Sequence, residues 1–198
     1  FYSSDVFTSM LIDQLEAGND VAPFFAYLSF TAPHSPLQAL PQDIARYADT
    51  YADRWGALAR RRVEGMHKAG ILQSRSPDTA ALFVQLQSQW DALSPQQRAL
   101  EARRMAIYAA MVDRMDHNIG RLLDALERTG KLDRTIILFI SDNDPASEDP
   151  RQYAVVSGFS ETYGSADNSL SSMGSAASFV LQDPRWASAI AAPSRLFK

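Results

Sequence analysis

The stretch from Ser94 to Ile140 constrains the fold more than any other, because a long core-facing helix runs there into an uninterrupted apolar segment. Ser94 suits a helix N-cap and Pro95 the first helical position. Met105, Tyr108, Ala109, Val112, Met115, Ile119, Leu122, Leu123 and Leu126 recur at spacings of three and four. That period predicts one helix with a buried face, ending near Thr129-Gly130. After the turn Lys131-Leu132-Asp133, the run Thr135-Ile136-Ile137-Leu138-Phe139-Ile140 is β-branched or apolar throughout, and Ser141-Asp142-Asn143-Asp144-Pro145 stops it. Such a run reads as a strand buried on both faces of a parallel sheet. A helix feeding a buried strand predicts α/β architecture.

A second run of this kind lies upstream. Phe24-Phe25-Ala26-Tyr27-Leu28-Ser29-Phe30 is short, aromatic and apolar on both faces, and Pro33 and Pro36 bar its continuation as a central strand. It is expected to lie parallel to the 135–140 run in one sheet, with the 94–129 helix on a face. Before it, Asp5 to Ala17 reads as an amphipathic helix with Val6, Met10, Leu11 and Leu15 inward and Gly18-Asn19 as the stop. Residues 41–89 carry helical signals, broken near Asp49 to Asp53, at Gly70 and at Ser76-Pro77. Beyond Pro145 the chain is rich in Ser, Asp, Gly and Pro and reads as irregular, with Ser178-Phe179-Val180-Leu181 a third short strand candidate.

At 198 residues the chain can bury one real core. Its net charge of -4 argues against nucleic acid or an anionic membrane as a partner, since both reward basic patches. The one basic run, Arg60-Arg61-Arg62, reads as a solvated helix face. There is no cysteine, which excludes disulfides and thiolate metal sites and leaves cytoplasm and periplasm both open. The 136–140 run is far below the roughly 20 residues of a membrane span, and no signal peptide is visible. The chain opens on Phe1 rather than Met and ends abruptly at Lys198, so its true N-terminus is expected to be missing.

Both strand candidates run straight into residues able to do chemistry. In open α/β sheets, ligands bind just beyond the carboxyl ends of the strands. His34 follows Phe30 at that place, and Asp142 and Asn143 follow Ile140, so with the strands parallel the three side chains should share a rim. Asp142 and Asn143 offer the oxygens that hard cations take, or they simply close an Asx turn. His34 could donate to an anionic substrate or protonate a leaving group, or it could bond nearby backbone. His67 and His117 read as surface or helix-packing residues, and Lys198 as a terminal cation without a role of its own.

These segments together resemble bacterial arylsulfatases of the sulfatase family, within the alkaline-phosphatase-like superfamily. Residues 23–38, ending in TAPHSPLQ, are similar to the family segment that carries an active-site histidine. Met105 to Asn118, MAIYAAMVDRMDHN, followed by Ile119-Gly120-Arg121, looks like the helix before the second metal-ligand strand, and Ile136 to Asn143, IILFISDN, like that strand. Tyr163, Asp167-Asn168-Ser169-Leu170, Pro184-Arg185-Trp186-Ala187 and Ala192 to Lys198 resemble the run up to an active-site lysine. The resemblance implies a partial alkaline-phosphatase-like sheet with flanking helices, and hydrolysis of aryl or alkyl sulfate esters by the parent protein. It implies Asp142 and Asn143 as ligands of a divalent cation, Ca²⁺ or Mg²⁺, His34 beside the bridging ester oxygen, and Lys198 on sulfate oxygens.

The departures are specific. The family's nucleophile is a formylglycine made within a C/S-x-P-x-R motif, and no such motif occurs here. The paired aspartates that complete the cation site and a Lys-x-His segment are missing too. Asp144-Pro145 stands where the family usually has Gly after Asp-Asn, and the link from Asp144 to Tyr163 looks short. The chain alone is therefore expected to be inactive. A phosphonate or phosphate ester hydrolase of the same superfamily, or a non-catalytic anion-binding relative, stays open beside the sulfatase reading.

Overall fold

The computed structural model of the chain describes residues 1–18, 22–52, 54–74, 77–147 and 159–194. Its regular elements are α1 (Ser3–Ala17), α2 (Pro41–Ala45), α3 (Trp55–Lys68), α4 (Pro77–Asp91), α5 (Pro95–Arg128), α6 (Phe159–Ser165) and α7 (Pro184–Ala191), with a 3-10 turn at Leu132–Arg134. Among the described residues there is no strand.

The long helix forms as its sequence requires. Ser94 Oγ accepts from Gln97 N–H while the Gln97 side chain accepts from Ser94 N–H, and Pro95 opens the first turn. The helix ends at Thr129, with Gly130 taking φ 65 just beyond. Its buried face includes Met105, Ala106, Ile107, Ala110, Met111, Ala125 and Leu126. The expected positions Val112, Met115, Ile119, Leu122 and Leu123 are only half-buried.

Two apolar clusters meet along α5. In one, Ile107, Ala110 and Met111 pack against Leu37, Ile44, Met173 and Val180. Gly174, at φ +94, is needed there, because a Cβ would stand 2.7 Å from Ile44 Cδ1. In the other, Trp55 of α3, Trp90 of α4 and Trp186 of α7 meet edge to face, with ring centroids 4.9 to 6.1 Å apart. Gly56 allows α3 to approach α4, since a Cβ would lie 2.7 Å from the Phe83 carbonyl oxygen. Arg62 donates to the Ala192 carbonyl at 3.0 Å and joins α3 to the end of α7. Arg60, Arg61 and Arg62 are exposed, as a solvated face should be.

The first helix starts where its polar residues suggest, but it turns a different side inward. Ser4, Thr8 and Leu15 are buried, whereas Met10 is 61% exposed. Charge decides this orientation. Asp5 accepts from Arg114 Nε at 2.8 Å, Arg114 Nη2 at 2.6 Å and Asn118 Nδ2 at 2.7 Å, all on α5. Arg121 adds a bond to Ser9 Oγ at 2.8 Å.

The two strand candidates depart from expectation. Residues 24–30 and 136–140 are neither helix nor strand, and they are not buried: Phe25 is 93% exposed and Ile136 89%. A strand exists only when neighbouring segments take its backbone hydrogen bonds, and among the described residues neither run is paired in a ladder. The partial sheet with flanking helices expected from sequence is thus represented here by its helices alone. Ser178, Val180 and Leu181 are buried as a core segment should be, yet they form no strand either.

Candidate active site

Residues 35–39 run beside residues 174–182 and are zipped to them. Leu37 N–H donates to the Val180 carbonyl at 2.7 Å, and Ala39 N–H to the Gly174 carbonyl at 3.0 Å. Gln38 Nε2 reaches the Ser178 carbonyl at 2.8 Å, and Gln182 N–H reaches Ser35 Oγ at 3.3 Å. These bonds hold the loop that carries His34. The loop is also closed on itself, with His34 N–H donating to the Thr31 carbonyl at 3.0 Å.

The imidazole lies on the exposed side of this loop. His34 Nδ1 is 2.8 Å from the Ser35 carbonyl oxygen. A carbonyl only accepts, so Nδ1 carries the proton of this contact. The backbone bond expected of a plain loop histidine is therefore present, and it also fixes the ring's tautomer.

His34, Asp142 and Asn143, far apart in the chain, line one cavity of about 960 Å³. Tyr2, Tyr108 and Gln182 border it as well. Asp142 and Asn143 are exposed and bonded to each other, the Asn143 amide donating to Asp142 Oδ2 at 2.6 Å. Ser141 Oγ donates to the Asn143 carbonyl at 2.8 Å. Tyr2 Oη donates to the Gln38 carbonyl at 3.3 Å, and burial, assisted by Asp5 and Asp43, pushes its hydroxyl up to about 12. The phenol is thus a neutral part of the wall.

Asp142 and Asn143 offer oxygens of the class a hard cation accepts, but two side chains fall short of its roughly 6–8 ligands. Among the described residues no group of three His, Asp or Glu side chains could hold a metal ion. The fit is therefore partial. Asp142 and Asp144 are the carboxylates among the described lining residues. An anionic ligand meets repulsion in such a cavity unless positive charge offsets it.

Lys198 lies outside the described residues. His117 is exposed on α5, and His67 is tied by Nδ1 to the Leu72 carbonyl at 2.9 Å. Neither lines the cavity. Tyr2 and Gln182 are cavity residues that the sequence does not announce, because only the pairing of 35–39 with 174–182 and the docking of α1 on α5 bring them there. The Asp183-Pro184-Arg185-Trp186 motif is structural: Asp183 caps α7 by accepting from Arg185 N–H at 2.8 Å, and Trp186 Nε1 donates to the Glu101 carbonyl at 3.0 Å.

The sulfatase family model matches residues 1–175. An uncharacterized sulfatase of Schizosaccharomyces pombe is 38% identical over 198 residues, which is 100% of this chain and 35% of that protein. An arylsulfatase of Klebsiella aerogenes is 34% identical over 193 residues, covering 98% of this chain and 40% of that protein. The human N-acetylglucosamine-6-sulfatase is 27% identical over 143 residues, 72% of this chain and 23% of that protein. The chain thus spans well under half the length of these relatives, which come from fungi and animals as well as bacteria.

Proposed function

The chain belongs to the sulfatase family, and from that premise we propose that it is the part of a sulfuric ester hydrolase that supplies one wall of a sulfate-ester site. The observation that carries this is the convergence of His34, Asp142 and Asn143 on one cavity. His34, anchored through Nδ1, presents Nε2 as the group that delivers a proton to the leaving ester oxygen. Asp142 and Asn143 contribute part of the ligand set of a divalent cation, Ca²⁺ or Mg²⁺, which would offset charge on the sulfate oxygens. The remaining ligands, the formylglycine nucleophile and its motif would come from elsewhere in a polypeptide of the relatives' length. Lys198, at the end of the matching run, would bind sulfate oxygens.

The same proposal accounts for the two exposed apolar runs. Residues 24–30 and 135–140 would become neighbouring strands of an alkaline-phosphatase-like sheet once further strands pair with them, and both lead directly into the cavity residues. A parallel sheet covered by helices is the setting such doubly apolar segments require.

The decisive experiment expresses the complete polypeptide that carries this sequence and follows chromogenic aryl sulfate, phosphonate and phosphate esters with and without a chelator. Preferential turnover of the sulfate ester is expected, lost on chelation and reduced about 10²–10⁴-fold in His34→Ala. A preference for the phosphorus esters would move the substrate class, and an inactive complete protein would favour a binding role. The 198-residue chain alone should show no turnover, since it holds no formylglycine to attack sulfur.

A further inference from the structure

A second cleft, of about 780 Å³, opens between α3 and α4 and shares no lining residue with the His34 cavity. The two helices come close there because Gly56 faces the Phe83 carbonyl without a Cβ. Arg54, Arg60 and Arg61 line the cleft, and Asp91 is the carboxylate among its described lining residues. Positive charge is thus in excess, the reverse of the chain's net charge of -4. Asp91 is engaged with Gln87, whose Nε2 donates to both carboxylate oxygens at 2.9 Å. Arg54, 57% exposed, stands 3.9 Å from Asp91 Oδ1, beyond hydrogen-bond reach. Arg60 lies over the Phe83 ring, its Cζ 5.2 Å from the centroid, a contact that positions the guanidinium without neutralising it. Arg54 also stands at the N-cap of α3, whose first turn carries no acidic side chain, so the helix end adds partial positive charge. Arg62 is absent from the lining and bonds the Ala192 carbonyl instead.

We propose that the α3–α4 cleft binds sulfate groups of a polysulfated polysaccharide through Arg54 and Arg60, apart from the cavity where hydrolysis would occur. A guanidinium presents a planar fork of donors that matches an oxyanion. The choice of sulfate rests on the sulfate-ester reading of the His34 cavity, and the choice of a polymer on the cleft itself. Its volume of about 780 Å³ is far more than a single sulfate needs. Exposed, salt-screened charges hold one free ion weakly, whereas groups repeated along one chain raise the local concentration of one another. Nucleic acid fits less well, because its bases need open aromatic faces to stack on. The aromatic ring of the described lining, Phe83, already carries Arg60 on a face.

The test measures heparin binding to the complete protein by calorimetry, beside desulfated heparin and a DNA oligonucleotide of similar length. Turnover of a small aryl sulfate is followed separately. Wild type should bind heparin in preference to both controls. Arg54→Ala with Arg60→Ala should weaken heparin about tenfold, the loss of two screened surface ion pairs. Asp91→Asn keeps an acceptor for Gln87 but removes the competing charge. It should strengthen heparin roughly threefold, a gain that misfolding cannot imitate. KM and kcat for the aryl sulfate should move in neither variant. Heparin binding that is absent from wild type, unmoved by the arginine substitutions, or matched by either control would overturn the inference, and turnover of the aryl ester would then leave the reading of the His34 cavity intact. Heparin binding that responds as expected in a protein without aryl sulfate turnover would overturn the sulfate-ester reading and leave the cleft as a sulfate-binding surface.

Discussion

Asp5 shows how a single carboxylate can choose which side of a helix faces the core. Bonding to Arg114 holds its carboxyl below the usual carboxylate range, with Asn118 and Arg121 acting in the same direction. A depressed folded value means that the carboxylate stabilises the fold fully above its unfolded value of about 3.9, and that this contribution disappears as pH falls through the lower folded value. Asp5→Asn should therefore cost about 1–3 kcal/mol near neutral pH, the range for charge-assisted hydrogen bonds left without their acceptor. The difference between wild type and variant should shrink once the pH drops well below 3.9. Urea unfolding across that window checks it, and a difference that stays constant into acid would show that the ionised carboxylate is not what orients α1. Glu101 behaves oppositely, for burial pushes its carboxyl up even though Arg104 pulls it down.

At the scale of the element, α5 owes its start to a local device and its packing to remote partners. Ser94 and Gln97 satisfy two N-terminal donors reciprocally. Ser94→Ala should destabilise the chain by about 1 kcal/mol and Ser94→Gly by only a few tenths. Thermal unfolding of the two variants distinguishes them, and equal losses would place the effect in side-chain packing instead of the cap. The half-buried row from Val112 to Leu123 has the apolar period of a core face but lacks full cover among the described residues. That is the row a sheet would be expected to pack upon.

The whole molecule carries an imbalance between a well-made helical core and two exposed apolar runs. Three buried tryptophans anchor one end of that core, while Phe25, Tyr27, Ile136, Leu138, Phe139 and Ile140 face outward. Contiguous exposed apolar segments with unpaired backbone promote association. The isolated chain should therefore bind a hydrophobic dye and sediment as oligomers at micromolar concentration. Phe25→Lys with Leu138→Lys should restore monomer without lowering the thermal midpoint, because neither side chain belongs to either core cluster. A monomeric wild-type chain by analytical ultracentrifugation would contradict this. In the complete protein, amide exchange in 24–30 and 136–140 should be strongly protected if these runs pair as strands.

Some of this was readable in the residues alone and some was not, and the division follows the range of the forces involved. The Ser94-Pro95 start, the Gly130 stop and the helical period between them act over a few residues, so the sequence specifies α5 within its own span. That His34, Asp142 and Asn143 could border one cavity was suggested too, through the rule that chemistry gathers beyond the ends of apolar runs, and through resemblance to a family. The inward face of α1 was not, because it depends on Arg114 and Asn118 arriving from a distant helix. Gln182 was not, because an amide reveals its lack of partners only when the chain has folded around it. The strands lie between these cases. Their apolar composition is local, but their hydrogen bonds must come from other segments, and among the described residues composition alone leaves the two runs exposed and outside any strand.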